Sequence, residues 1–280
     1  MIGYGAGAAQ CRSLHARACC GVIAGDRIFR GRGYELSTRA LTATSGEIEG
    51  RIERLDWEAV RTSLDDRGYA TTPALLTAAE CNDLIALYDD REVFRNRVVM
   101  ERHGYGVGEY KYFAAPLPAI VASMRTAFYE RLAPIGSDWM RALRLDEGFP
   151  GGLDEFLGTC ARAGQIKPTP LLLRYEAGGY NCMHQDLYGE VFFPLQMTIV
   201  LSRREADFSG GEFLLTEQRP RAQSRGEAVT LDRGEAIVFA TRWRPVRGAR
   251  GYYRVNVRHG VSRLRTGRRV TLGIIFHDAK

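Results

Sequence analysis

The sequence predicts a mainly β protein with helical support. Two observations point to this class. Helical periodicity dominates residues 51–165, and from residue 166 onward the chain breaks into short β-rich segments separated by turn residues. Many short strands at this spacing are typical of a sandwich or a barrel. The length of 280 residues and the hydrophobic content of 45% allow an ordinary globular core.

The first fifty residues differ from the rest of the chain. Residues 1–50 are rich in Gly, Ala, Ser, Thr and Arg and show neither helical nor strand periodicity. Such a composition buries too little apolar surface to offset the entropy of ordering the chain. We therefore expect a disordered extension there, with no role for His15.

The six cysteines and the hydropathy of the chain bear on its cellular location. The cysteines have no CxxC pair or regular spacing, which argues against a zinc ribbon and against a disulfide framework. No apolar run approaches the length of a transmembrane helix, and the short apolar patch at residues 18–25 lacks a convincing cleavage site. We expect a cytoplasmic protein without a membrane partner.

Residues 51–165 are expected to form a helix-rich support region. Trp57, Val60 and Leu64 fall at helical spacing, and Gly68 follows where a left-handed cap would lie. Thr77 and Glu80 form the capping-box pattern of a second helix. Apolar spacing predicts further helices at 120–132, 139–143 and 153–163, and the segment 98–113 is predicted to form a strand, a loop and a second strand.

Residues 166–280 are expected to form the β core. The candidate strands are 171–175, 195–201, 212–216, 228–231, 236–239, 253–257 and 270–276. We expect the chemistry of the protein in this part of the chain, because the candidate metal ligands described next lie there.

Three residues of the β core could hold a metal ion. Residues two apart on a strand share a face, so His184 and Asp186 can offer an imidazole and a carboxylate to one point. His259 is the plausible third ligand, since His103, His277 and the tail histidine have simpler explanations as loop or terminal residues. Two histidines and one carboxylate are typical of non-heme Fe(II) sites, although the ligand spacing alone also allows zinc.

Arg269, ten residues after His259, is a candidate for binding an organic acid. The guanidinium of Arg269 would suit a carboxylate bidentately. Thr271 lies two residues further on the same strand face, and the Tyr175 phenol could also hydrogen-bond a carboxylate. For Tyr175 simple packing on the first core strand is an equal alternative.

A run of arginines crosses the second half of the β core. Between Arg242 and Arg269 there are ten arginines and no acidic residue, with Trp243 and two tyrosines among them. Such a surface can hold phosphates and stack bases. The candidate nucleic-acid contacts are Arg242, Trp243, Arg244, Arg247 and Arg250. The alternative is a solvated basic face whose arginines pair with acids such as Glu205, Asp207 and Glu227.

These motifs together carry a family resemblance. His184-x-Asp186, a distal histidine in Arg258-His259-Gly260-Val261, and Arg269 ten residues later resemble the Fe(II)/2-oxoglutarate-dependent dioxygenase superfamily over roughly residues 165–280. Arg174-Tyr175 and Gly210-Gly211-Glu212 look like its prolyl-hydroxylase branch. The final motif, residues 258–280, is similar to a bacterial oxygenase family for which repair of damaged nucleic acid has been proposed.

The resemblance implies a fold and a reaction. The fold would be a double-stranded β-helix, a jelly roll with the metal near its open end. The cofactor would be Fe(II), with 2-oxoglutarate and O₂ as co-substrates and ascorbate as a candidate reductant. Arg269 would bind the distal carboxylate of 2-oxoglutarate, with Tyr175 and Thr271 as further candidate contacts. The favoured reaction is oxidative demethylation of alkylated or damaged nucleic acid, single-stranded nucleic acid included. The alternatives are a hydroxylase of prolyl or other protein residues, and a cupin-like protein that binds metal without catalysis.

Overall fold

The computed structural model describes residues 45–145 and 148–280. Most of the expected extension, residues 1–44 with His15, therefore lies outside the described residues. Within those ranges the chain forms five α-helices: α1 (Ser45–Glu53), α2 (Trp57–Arg67), α3 (Ala78–Ala86), α4 (Ala119–Ala142) and α5 (Leu153–Arg162). None of these helices is long and apolar enough to cross a membrane.

Fourteen strands form two antiparallel sheets in the described part of the chain. In chain order they are β1 (Tyr69–Thr71), β2 (Phe94–Val99), β3 (Gly106–Val107), β4 (Glu109–Phe113), β5 (Leu171–Glu176), β6 (Tyr180–His184), β7 (Leu195–Val200), β8 (Phe208–Gly210), β9 (Phe213–Gln218), β10 (Ser224–Val229), β11 (Ala236–Ala240), β12 (Trp243–Gly248), β13 (Gly251–Val261) and β14 (Leu264–Ile275). The major sheet has the order β1-β11-β7-β14-β5-β4-β2, with β8 beside β14. The minor sheet has the order β10-β9-β13-β6-β3, with β12 beside β13.

Strand β14 shows how the major sheet separates a cavity from a core. Its alternate residues Arg269, Thr271, Gly273 and Ile275 line a cavity of about 490 Å³, whose other wall includes residues of β6, β9 and β13. The intervening residues, such as Phe276 just after the strand, are buried with the helices in the main hydrophobic core. The alternation follows from the strand period of two. The expected fold, a jelly roll with helical support, is confirmed.

Helix α4 corrects one prediction. The two helices expected at 120–132 and 139–143 are a single helix, Ala119–Ala142, with Pro134 inside it. A proline in a helix interior removes one backbone hydrogen bond. The apolar face nevertheless continues through the proline, because Leu132, Ile135 and Trp139 are all buried. Packing of this face stabilises the helix across the point where sequence rules predict a break.

The local helix signals and most strand positions are confirmed. Gly68 ends α2 in the left-handed conformation, and the Thr77–Glu80 capping box is formed at the start of α3. One strand is displaced: β10 runs from Ser224 to Val229, not over residues 228–231. Most of its residues are exposed and polar, so β10 is defined by pairing with β9 at the sheet edge and not by hydrophobic alternation.

The expected support region contributes strands as well as helices. Strands β1, β2 and β4, all from residues 51–165, belong to the major sheet, where β4 pairs with β5 and β1 pairs with β11. Helix α1 begins at Ser45, before the expected boundary at residue 50. The sheet that lines the cavity is therefore built from both halves of the chain.

Candidate active site

The three candidate metal ligands meet at one end of the cavity. His184 is the last residue of β6 and stands opposite His259 of β13 in the antiparallel register. The Nε2 atom of His259 lies 3.2 Å from Asp186 Oδ2, and the Nε2 atom of His184 lies 3.5 Å from Asp186 Oδ1. One ligand atom from each of the three residues lies within 4.8 Å of the others. This arrangement fits a single ion bound from one side.

Asp186 does not lie on the same strand as His184, contrary to expectation. Strand β6 ends at His184, so Asp186 belongs to the loop that follows and is not held by sheet pairing. Gln185, between the two ligands, fixes the loop instead. Its amide nitrogen lies within hydrogen-bonding distance of Val257 O at 2.7 Å and Asn256 Oδ1 at 2.9 Å. The ligand loop is thus tied to β13, which carries His259.

Hydrogen bonding selects the ring nitrogen that His184 offers to a metal. Its Nδ1 donates to the carbonyl of Cys182 at 2.8 Å, which leaves the lone pair of Nε2 on the Asp186 side. A backbone carbonyl of this kind is a usual partner of metal-binding histidines. Sequence patterns do not indicate this hydrogen bond, because a backbone acceptor two residues away has no residue-type signature.

The electrostatics favour an ionised carboxylate between two imidazoles. Burial opposes the charge of Asp186, yet the neighbouring His184 and His259 hold the pKa of its carboxyl well below the usual range. Burial also disfavours the charged form of His184, but the Asp186 carboxylate outweighs it and raises the pKa of His184. Burial and the nearby His184 lower the pKa of His259. One anionic oxygen donor with two imidazoles suits a divalent ion such as Fe(II).

Arg269, Tyr175 and Thr271 line the same cavity as the triad. Arg269 is 2% exposed, and in the described residues no carboxylate forms a salt bridge with it. Burial lowers its pKa to about 10, so the guanidinium still carries its charge at neutral pH. Removing one partner of a buried ion pair destabilises a protein by about 3–5 kcal/mol, because the remaining charge is left buried and unpaired. A bound dicarboxylate would offset that cost.

Some of the cavity's buried polar atoms are unsatisfied. Four buried side-chain atoms of its lining have no hydrogen-bond partner among the described residues: Tyr175 OH, Gln196 Nε2, His259 Nδ1 and Arg269 Nε. Buried polar groups are normally paired, since an unpaired one costs about 1–3 kcal/mol. The donor set therefore fits a metal and a small polar ligand. Gln196 was not singled out from the sequence, because a lone glutamine in a strand resembles an ordinary surface residue.

The Gly210-Gly211-Glu212 segment has a packing role beside Arg269. Gly211 adopts φ +67°, and a Cβ there would lie 3.0 Å from Arg269 Cδ and 2.7 Å from Leu264 Cδ1. Gly210 has φ +73° and would place a Cβ 2.6 Å from Arg263 O. Both glycines are thus required by a left-handed backbone and a close approach. The motif supports the arginine and carries no information about the substrate.

Two histidines outside the triad were assigned to simple positions. His103 is exposed at the end of the short 3-10 helix Met100–His103, where it stacks on Tyr105 near the cavity rim, with ring centroids 5.3 Å apart. His277 differs from expectation: it is fully buried and not a polar terminal residue. Its Nδ1 accepts from Phe193 N at 3.2 Å, and burial lowers its pKa to about 4.

The arginine run is divided between the interior and the surface. Arg244 is buried, pairs with Glu217 and donates to the Asp65 carbonyl at 2.9 Å, so it cannot contact nucleic acid as expected. Its side chain points inside because β12 packs against α2 at that point. Arg242 and Trp243 are half-buried, whereas Arg247 and Arg250 are exposed.

One face of the β12–β13 hairpin is basic and aromatic. The register pairs Trp243 with Asn256, Pro245 with Arg254, and Arg247 with Tyr252, which places all of these on one face. The guanidinium of Arg242 lies 3.8 Å from the Trp243 ring centroid, and that of Arg254 lies 4.3 Å from it. The basic hairpin face is the name we use for this surface, which consists of Arg242, Trp243, Pro245, Arg247, Tyr252, Arg254, Asn256 and Arg258.

The acids expected to neutralise the run pair elsewhere. Glu205 pairs with Arg204, Asp207 with Arg203, and Glu227 with Arg225. In residues 45–145 and 148–280, the run members with a carboxylate partner are Arg244 and Arg268. The arginines of the basic hairpin face therefore keep their charge available for an anionic partner.

The class of protein follows from this architecture. A jelly roll that brings two histidines, an aspartate and a buried arginine to one cavity is the arrangement of the Fe(II)- and 2-oxoglutarate-dependent oxygenases, as expected. Residues 108–279 match the model of a family described as "Oxygenase, catalysing oxidative methylation of damaged DNA". The chain belongs to this oxygenase family, and it is an enzyme of the oxidoreductase class.

Two curated relatives and two solved structures are similar to this chain. Proteins from two strains of Mycobacterium tuberculosis, both called uncharacterized, are 49% identical over 167 residues, which cover 60% of this chain and 72% of theirs. A Trichoplax adhaerens prolyl hydroxylase, solved with a hypoxia-inducible-factor peptide, has a TM-score of 0.51 at 12% identity and covers 83% of this chain and 93% of its own. A Pseudomonas putida prolyl-4-hydroxylase has a TM-score of 0.45 at 17% identity over 80% of this chain and all of its own. The Trichoplax likeness supports a shared fold.

Proposed function

We propose that this enzyme removes N-alkyl groups from damaged nucleic acid by oxidising the carbon attached to nitrogen. The observation that carries the substrate class is the basic hairpin face, whose arginines lack carboxylate partners in the described residues. Gln185 connects this hairpin to the ligand loop through Asn256 and Val257. A strand held on the hairpin would therefore lie beside the metal site.

Six residues of the cavity have proposed tasks. His184, Asp186 and His259 hold Fe(II), and Arg269 binds the distal carboxylate of 2-oxoglutarate with help from Thr271 and Tyr175. Bound Fe(II), 2-oxoglutarate and O₂ together supply the oxidant that converts a C–H bond to C–OH, with succinate and CO₂ as coproducts. Ascorbate is the proposed external reductant.

The product follows from the chemistry of the oxidised carbon. A hydroxylated N-methyl group is a hemiaminal. Its C–N bond breaks as the C=O bond forms, and the hydroxyl proton is transferred to nitrogen. The products are formaldehyde and the restored N–H. Oxidation therefore leads to loss of a methyl group from a damaged base, so the reaction is a demethylation.

The cavity wall suits a flat ring. Tyr105, Tyr110, Tyr188, Phe213 and Phe239 are among its lining residues. Aromatic faces stack on bases with about 1–3 kcal/mol per base and tolerate any sequence. Tyr105 is exposed at the rim and is placed to meet a base that enters from solvent.

The second candidate is a hydroxylase of a protein residue. It is supported by the ten-residue spacing from His259 to Arg269, shared with the prolyl-hydroxylase branch. The glycine segment does not favour it, because a left-handed backbone and close packing explain both glycines: Gly211 lies against Arg269, and Gly210 lies against the Arg263 carbonyl. A cupin-like binding protein is less consistent with a buried charged arginine that has no partner of its own in the described chain. The cytoplasmic location stays a prediction.

The test is succinate formation from 2-oxoglutarate by the Fe(II)-loaded protein. N-methylated single-stranded DNA, its unmethylated twin and a proline-rich peptide are compared, and formaldehyde is measured in parallel. We expect stimulation by the methylated strand alone, with formaldehyde equal to the excess succinate. Stimulation by the peptide alone would replace the proposal with the second candidate.

A further inference from the structure

Asp186 is the least constrained of the three candidate ligands. His184 and His259 sit on paired strands, whereas Asp186 lies beyond the end of β6. The terminal torsion of an aspartate side chain is broad, so rotation about it changes which oxygen faces the metal. Something other than the backbone must hold this carboxylate, and the sequence did not indicate what.

The hydroxyl of Tyr188 supplies the missing constraint. It lies 2.7 Å from Asp186 Oδ1, and Tyr112 OH lies 3.0 Å from Tyr188 OH. A carboxylate that ligates a metal can only accept hydrogen bonds. Tyr188 must therefore donate to Asp186, and its oxygen accepts from Tyr112. Because Asp186 can only accept, both hydroxyl groups donate in the same direction, from Tyr112 to Tyr188 and from Tyr188 to Asp186.

Packing fixes the position of the Tyr188 ring. The ring meets Tyr112 edge to face at 6.1 Å between centroids, and the His277 ring lies 5.9 Å away. Tyr112 is itself 8% exposed on β4, with the guanidinium of Arg95 4.5 Å from its ring centroid. The hydroxyl thus reaches Asp186 from a ring packed between Tyr112 of β4 and His277, which follows β14.

We propose that Tyr188 is a positioning residue that orients the Asp186 carboxylate for metal binding, and that Tyr112 acts through it. This inference rests on the assignment of Asp186 as a metal ligand. Groups that hydrogen-bond to metal ligands typically change metal affinity by about 10–100-fold when removed. The effect is expected on the metal and not on the fold, because Tyr188→Phe keeps the ring and removes only the hydroxyl.

The test measures Mn²⁺ binding to the full chain after chelator treatment, by titration calorimetry without substrate. We expect Tyr188→Phe to weaken Mn²⁺ binding, with a Kd about tenfold higher than that of the parent. Tyr112→Phe should weaken it less, because Tyr188 keeps its own bond to Asp186. The double variant should match Tyr188→Phe alone. At saturating Co²⁺, the ligand-field absorption of Tyr188→Phe should differ from that of the parent.

Tyr129→Phe is the matched control. Its hydroxyl donates to the Pro150 carbonyl at 3.0 Å, it is buried, and it does not line the cavity. This variant loses a comparable hydrogen bond and should bind Mn²⁺ like the parent. Should Tyr188→Phe fail to fold, Tyr112→Phe probes the same chain without changing Tyr188.

The outcomes separate this inference from the proposed function. Parent-like Mn²⁺ affinity in Tyr188→Phe would overturn the positioning role while leaving the metal site intact. A further loss on adding Tyr112→Phe to Tyr188→Phe would overturn the linear chain. Absence of Mn²⁺ binding in the parent would overturn the metal site itself, and with it this inference. Activity on nucleic acid plays no part in the readout.

Discussion

His184 and His259 face each other across paired strands, with ring centroids 4.2 Å apart. Because antiparallel pairing fixes the separation of opposite residues, the two imidazoles are held in place before any ion binds. Phe239 packs against His259 at 4.7 Å between ring centroids, which further restricts the ring. The site is preorganised on its two histidine sides, and the loop carboxylate completes it.

Removal of a ligand should abolish metal binding. We expect His184→Ala, Asp186→Ala and His259→Ala each to lose measurable Mn²⁺ binding, because two remaining donors hold a divalent ion weakly. Saturating Mn²⁺ should stabilise the parent against heat, by about 2.7 kcal/mol at a hundredfold excess over Kd. The stabilisation should vanish in the three variants and after chelation. Full metal-induced stabilisation in any one of them would remove that residue from the site.

Loss of the buried guanidinium should weaken 2-oxoglutarate binding. We expect Arg269→Ala to raise the 2-oxoglutarate concentration needed for half-maximal turnover at least tenfold, since a charge-assisted bond contributes about 1.5–3 kcal/mol. Arg269→Lys should be intermediate, because an ammonium keeps the charge but not the bidentate fork. Mn²⁺ affinity without 2-oxoglutarate serves as the control and should stay near that of the parent. Unchanged 2-oxoglutarate dependence would show that another group binds the distal carboxylate.

The basic hairpin face should control binding of single-stranded DNA. We expect Arg247→Ala with Arg254→Ala to weaken binding and to reduce the salt dependence, by about 0.7 in log–log slope for each phosphate that the variant no longer neutralises. Arg225→Ala is the matched control, because Arg225 is exposed but pairs with Glu227 on β10. Fluorescence anisotropy at several salt concentrations gives both quantities. Equal losses of affinity in the double variant and the control would indicate that DNA binding depends on the overall positive charge and not on the basic hairpin face.

Arg244 should affect stability where its exposed neighbour does not. Breaking the buried Arg244–Glu217 pair by Arg244→Ala leaves an uncompensated carboxylate, at a cost of about 3–5 kcal/mol. Arg247→Ala removes an exposed side chain and should change the free energy of unfolding by less than about 0.5 kcal/mol. Urea unfolding of the two variants tests this difference. Similar stabilities would contradict the interior role of Arg244.

His277 should make the metal-free protein sensitive to mild acid. Burial lowers its folded pKa to about 4 from an ordinary 6.5, so between these values the unfolded chain binds the extra proton. The stability that depends on a neutral His277 is fully present above pH 6.5. As the pH falls towards 4, the free energy of unfolding decreases by about 3 kcal/mol, at 1.36 kcal/mol per pKa unit. The measurement is the free energy of unfolding against pH for the parent and His277→Gln. We expect the variant to show the smaller decline, and parallel curves would show that His277 is not responsible.

The sequence by itself determined the features that depend on residue type and local spacing. The capping box at Thr77 and Glu80, the glycine cap at Gly68 and most of the short β-rich segments are short-range patterns, and they are present in the structure. The identities of His184, Asp186 and His259 were also predictable, because few histidines exist in the chain and the ligand chemistry restricts the choice. They were predictable without knowing which strands pair.

Tertiary structure decided what depends on partners distant in the chain. It made Arg244 an interior residue and left Arg247 in solvent, although both belong to one arginine run, because residues an odd number of positions apart on a strand face opposite sides. It joined Tyr112 of β4 to Tyr188 of the ligand loop across 76 residues. It also carried α4 through Pro134, since burial of a continuous face outweighs one missing backbone bond. Long-range packing has no local sequence signature, and for that reason these contacts required the structure.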